Sequence, residues 1–112
     1  MVRAASDGVF YERWVNGVVR AVASPTPPSV NEWHHFVSVF DGAMAYVFLD
    51  GGLVSSDSVT NALVQKSNPY VIGRQNCSPC SGSGYLGDLD EVAIYDKALT
   101  ATRIQAHYDA AK

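Results

Sequence analysis

The sequence predicts an all-β domain: two antiparallel sheets stacked as a sandwich, with a short α-helix at the C-terminus. Three observations carry this. Between Asn31 and Leu53 lie two apolar blocks, His34–Phe40 and Met44–Leu49, rich in β-branched and aromatic residues and each of strand length. Asp41-Gly42 follows the first block and Asp50-Gly51-Gly52 the second, and such residues enter the left-handed backbone region that tight turns require. Within the first block, Phe36 and Phe40 share one face while Val37 and Val39 share the other. Neither face is polar, so the strand needs cover on both sides.

The remaining elements follow in chain order. Val9–Val15 and Val18–Ala23 are aromatic and β-branched, and Asn16-Gly17 between them is a strong hairpin signal, because a type I′ turn needs positive φ at both central residues. Ser24–Ser29 carries Pro25, Pro27 and Pro28, which withhold N–H donors, so it reads as a connecting loop. Leu53–Val59 is polar enough for an edge strand, Asn61–Asn68 reads as a loop, and Tyr70–Gly73 as a short buried strand. Arg74-Gln75-Asn76 closes it, and the Gly- and Ser-rich stretch Cys77–Gly84 forms the next loop. Leu86–Tyr95 reads as a closing strand. A helix then begins at Thr100, its N-cap, and places Ile104, His107, Tyr108 and Ala111 on one face. Arg103, at the third helical position, cannot complete a capping box and sets a positive charge at the positive end of the helix dipole, which predicts fraying.

A length of 112 residues fits one domain spanning residues 1–112. The net charge of −3 and the lack of any Lys/Arg cluster leave no electrostatic footprint for nucleic acid or an anionic membrane. No apolar run approaches the roughly 20 residues of a membrane-spanning helix, and the first residues lack the apolar core of a secretory signal.

Trp33-His34-His35, Asp41-Gly42 and the run from Tyr46 through Phe48-Leu49-Asp50-Gly51 resemble the signature of laminin G-like domains, of the concanavalin A-like lectin/glucanase jelly rolls. The resemblance resumes at Val71-Ile72-Gly73-Arg74 and again from Gly87 to Thr100, which is similar to that family's closing motif. It implies a concanavalin A-like jelly roll, an extracellular or cell-surface setting and a non-catalytic binding module for a carbohydrate or an extracellular protein. Domains of this family generally carry further strands ahead of the equivalent of Val9–Val15. The resemblance thus implies a sandwich incomplete at its N-terminus, reduced or completed by a homo-oligomer or by N-terminal strands from a partner chain, which gives a structural or self-assembly role as the rival reading. Family loops at one rim carry the variable chemistry, which here implies ligand contacts from Arg74, Gln75, Asn76 and the Cys77–Tyr85 loop, with Tyr85 stacking on a sugar face.

Other chemistries fit the residues less well. Related glucanases converge three carboxylates on one strand face. Here Asp88 and Asp90 would share a face of the closing strand, but Ala93 stands at the third position and Glu91 would point away. Hydrogen bonds from Asp90 and Glu91 to neighbouring loop N–H groups are the favoured reading of those acids. Calcium stays open as a cofactor if the fold gathers Asp41, Asp50, Asp57, Asp88 and Asp90, although no dense acidic loop announces it. Cys77 and Cys80 are half of a zinc site and lie outside the helix start a redox pair needs, leaving a local disulfide or two idle thiols, with the disulfide favoured in an oxidising compartment. His34 and His35 alternate across the chain and read as structural, and no serine sits in a nucleophile elbow.

Overall fold

The computed structural model describes residues 2–5, 8–15, 18–59, 71–73 and 84–112, with side chains from Ala21 onward. The chain divides into two compact units, residues 1–62 with 95–112, and residues 63–94.

In the first unit, β1 (Val2–Ala5), β2 (Gly8–Val15) and β3 (Val18–Ala23) form one antiparallel sheet in the order β1-β2-β3. Val15 pairs with Val18, so two residues join β2 to β3, as the Asn-Gly signal requires. A second antiparallel sheet, in the order β4-β5-β6, comprises β4 (Phe36–Phe40), β5 (Met44–Leu49) and β6 (Gly52–Ser58). The helix α1 (Ala101–Ala110) follows.

The turns of the second sheet are set by side-chain chemistry. Asp41 opens the β4–β5 connection by accepting from the backbone N–H groups of Ala43 (2.9 Å) and Met44 (2.7 Å) through Oδ1 and from the Tyr46 hydroxyl (3.0 Å) through Oδ2. These bonds favour the ionised carboxyl and hold the Asp41 pKa below its ordinary range, the Met44 bond contributing most. Asp50 (φ 52°) and Gly51 (φ 81°) join β5 to β6 as a two-residue turn with both central residues left-handed, the tight turn the sequence predicts.

The register sorts the side chains of the second sheet onto two faces, and each face meets a different layer. Ala45 and Val47 are buried against Val22 of β3, with Phe36, Val54 and Val59 around them. Val39 and Phe48 face the other way and pack on Ile104 of α1, with Val37, Tyr46 and Leu99. The order is sheet, sheet, helix, and β5 contributes to both cores. This is why β4 and β5 show no polar face. A register shift between Val47 and Phe48 lets Ser55 pair with Val47 and Leu53 with Phe48, so Val54 is the extra residue and turns into the inter-sheet core.

Five features depart from the sequence reading. Val2–Ala5, with no strand expected, pairs with Gly8–Tyr11. The first histidine pair lies ahead of the strand, which begins at Phe36, and Ala111 is the C-cap rather than part of the apolar face. In the second unit, Leu86–Ile94 is not a strand: it makes no ladder, and the segment bends where Glu91 takes φ 50°. Its ordered anchor is Tyr85, whose N–H donates to the Gly73 carbonyl at 2.7 Å. Val71-Ile72 likewise carries no strand pairing.

Candidate functional site

The described residues that gather polar chemistry do so around the Asp50-Gly51 turn. Asp50 is placed there by its left-handed backbone, which aspartate tolerates better than larger residues. Its carboxylate accepts from His34 Nδ1 (2.8 Å) through Oδ2 and from the His35 backbone N–H (2.9 Å) through Oδ1, while its own N–H donates to the His35 carbonyl (2.8 Å). One residue thereby clasps the chain entering β4 to the turn leaving β5. Asn31, also left-handed at φ 64°, reverses the preceding loop, and Ser29 donates to the Glu32 carboxylate within it.

Ser29, His34 and Asp50 stand in the order of a hydrolytic relay, with Ser29 Oγ 2.9 Å from His34 Nε2. The Ser29 hydroxyl hydrogen goes to Glu32, which accepts only, so it is not offered to His34 Nε2, which also lies 3.2 Å from the Ser29 carbonyl. A hydrolytic relay needs that hydroxyl hydrogen aimed at the histidine. The relay fastens a loop, in keeping with a structural His34.

His35 points elsewhere. Its ring stacks on Tyr108 of α1 at 6.1 Å between centroids, and its Nδ1 is buried without a partner. Burial lowers its pKa, the neighbouring His107 lowers it further, and Asp50 opposes both. His107 in turn lies against Tyr95, 6.0 Å between ring centroids. The two adjacent histidines thus serve different elements, as their alternation predicts.

Beside the clasp, Trp33 is 71% exposed, and no hydrogen bond occupies its indole N–H among the described residues. Val30, in the same loop, is 81% exposed. Sequence reasoning used Trp33 only as a motif marker. The available signal was its position: a tryptophan in a loop, ahead of the first residue of a strand, is not obliged to enter the core.

Of the residues expected at a ligand rim, Arg74, Gln75 and Asn76 lie outside the described residues, as do Cys77 and Cys80. Tyr85 is described and half-exposed, and its ring passes so close to Gly87 that a Cβ there would come within 2.9 Å of it. Asp88, Asp90 and Glu91 are exposed and off any strand, and the Asp90 carboxylate accepts from the Glu91 N–H at 2.8 Å, a local loop bond of the kind expected. Among the described residues no three His, Cys, Asp or Glu side chains stand close enough to hold a metal ion, and Asp41 and Asp50 are committed to the turns they close. No helix among them is long and apolar enough to cross a membrane.

The stacked sheets agree with comparisons to known proteins. A family model described as the concanavalin A-like lectin/glucanases superfamily, of the laminin G type, matches residues 1–105. The fold also resembles the crystal structure of an S-layer domain-containing protein (residues 221–444) from Clostridium thermocellum, with a TM-score of 0.60 and 19% identity over 89% of this chain. This chain spans about half of that one, 51% of its length. No curated protein matches. By its sequence match and its stacked antiparallel sheets, this chain belongs to the concanavalin A-like lectin/glucanase superfamily, among its laminin G-like domains.

Proposed function

We propose that this domain is a non-catalytic binding module that recognises a carbohydrate or an extracellular protein through its loops. Laminin G-like domains are often binding modules and typically lack catalysis. The observation that carries the reading is Trp33: a broad aromatic face left in solvent, its N–H open among the described residues, flanked in sequence by Glu32 and by His34, the partner of Asp50 in the clasp. Sugar rings pair an apolar C–H face with a rim of hydroxyls, so an aromatic platform beside hydrogen-bonding groups suits them. The Arg74–Asn76 and Tyr85 loop is a second ligand surface in this proposal, with Tyr85 as its aromatic element. An extracellular or cell-surface setting accords with the family and with the structural relative, an S-layer domain-containing protein.

A glycan array probed with the chain, followed by titration of any hit, tests this. Binding is expected to change tryptophan emission and to weaken on Trp33→Ala or Tyr85→Ala. An array without hits would refute the carbohydrate reading, and a hit untouched by both substitutions would refute the site. A structural role in assembly is the second reading, favoured by the exposed apolar residues Leu86, Leu89, Val92 and Ile94.

A further inference from the structure

The segment Leu86–Ile94, expected from the sequence as part of a closing strand, carries no strand pairing among the described residues. Leu86 is 98% exposed, Leu89 51%, Val92 56% and Ile94 66%. Among the described residues its backbone makes no hydrogen bond to another backbone group, and the Glu91 N–H goes to the adjacent Asp90 carboxylate. Exposed donors and acceptors beside exposed apolar side chains are what an incoming strand pairs with.

Charge identifies what kind of strand. From Gln75 to Asp96 the sequence carries four acids, Asp88, Asp90, Glu91 and Asp96, and no lysine or arginine. Two copies of this segment laid antiparallel would set Asp90 and Glu91 against their equivalents, and like charges directly opposite repel. A second copy of the segment is therefore a poor occupant. We propose that Leu86–Ile94 is an acceptor for an extended strand of another polypeptide, one that alternates apolar residues with lysine or arginine. In a strand Asp88, Asp90, Val92 and Ile94 share one face and Leu89, Glu91 and Ala93 the other, so the partner's cations would meet Asp88 and Asp90 and its apolar residues would cover Leu89. Docking straightens the chain at Glu91, whose left-handed φ of 50° is unfavourable for a residue with a Cβ and is relieved in a strand.

Two synthetic peptides test this against the 112-residue chain: one alternating valine and lysine, and its valine–glutamate counterpart. Binding followed by calorimetry is expected to favour the lysine peptide by about fivefold or more, summed over two cross-strand charge pairs, and to weaken as salt screens them. Ala93→Pro, which deletes a ladder donor in an exposed segment, should abolish binding. The variant Asp88→Asn, Asp90→Asn, Glu91→Gln should keep weak binding and lose the preference between peptides. Equal affinity for both peptides, indifference to Ala93→Pro, or self-association of the chain through this segment on sedimentation would overturn the proposal. Trp33→Ala should leave peptide binding intact, which separates this inference from the carbohydrate reading.

Discussion

Asp50 holds more of the fold than its half-exposed position suggests. It accepts from a side chain and a backbone N–H, donates to a carbonyl and adopts a left-handed backbone, all in one residue. Asp50→Ala removes both accepted bonds and the tolerance for positive φ, so it is expected to cost about 2 kcal/mol in urea unfolding. Asp50→Asn keeps an acceptor oxygen and the φ preference and should cost less. A loss no larger for alanine than for asparagine would show that the clasp carries little. His35 supplies a pH signature. Because burial and His107 depress its pKa in the fold, the unfolded chain binds the proton more readily, and by linkage the neutral ring's contribution is complete above its ordinary value of 6.5. That contribution falls as pH drops through 6.5 toward the folded value. Denaturation midpoints of the parent chain should therefore decline over this window more steeply than those of His35→Gln, the difference isolating His35 from His34 and His107. Parallel declines would remove His35 as the cause.

At the scale of elements, the β5–β6 turn and α1 are fitted to one another. A Cβ at Gly51 would lie 2.6 Å from Gln105 Oε1, and the residue's φ of +81° is strained for any L side chain. The side-chain amide can swing aside, whereas the dihedral cannot, so Gly51→Ala should destabilise by about 1–2 kcal/mol, mostly through the backbone. Adding Gln105→Ala should recover only a small part, and full recovery would assign the cost to the clash. This turn was legible in the sequence because Asp-Gly carries its own dihedral preference. The β2–β3 hairpin and the Thr100 cap, whose hydroxyl accepts from the Arg103 N–H at 3.3 Å, were legible for similar local reasons. β1 was not, since Val-Arg-Ala-Ala is short and alanine-rich, and the Asp7-Gly8 that follows it went unread as a turn signal. Leu86–Tyr95 was read as a closing strand, in keeping with the resemblance to the family's closing motif, but a motif reports a likeness, and a strand exists only when a neighbour accepts its hydrogen bonds. Trp33 went unread as a site because a motif marks position without saying which side of the chain faces water.

For the molecule as a whole, the decisive feature is that one sheet is covered on both faces. Ile104, fully buried, is the helix's entry into that arrangement, packed on Val39 and Phe48. Ile104→Ala should cost about 2–5 kcal/mol through lost transfer energy and the cavity left behind, seen as a lower thermal midpoint. It should also speed amide exchange in α1 and β5 before it does so in β1. Uniform acceleration would mean that the layers open as a single unit. The sequence could state that both faces of the β4–β5 pair were apolar, but not which layer met which face, because the pairing of a face with its cover depends on contacts far apart in the chain.

The first sheet and the final helix grip opposite sides of the same middle strand. Tension applied through the two ends of the chain would therefore be borne first by the outer layers, pulling each away from the centre independently. In a protein tethered at a surface, such an arrangement yields in stages, shedding its wrappings while the innermost ribbon keeps its shape.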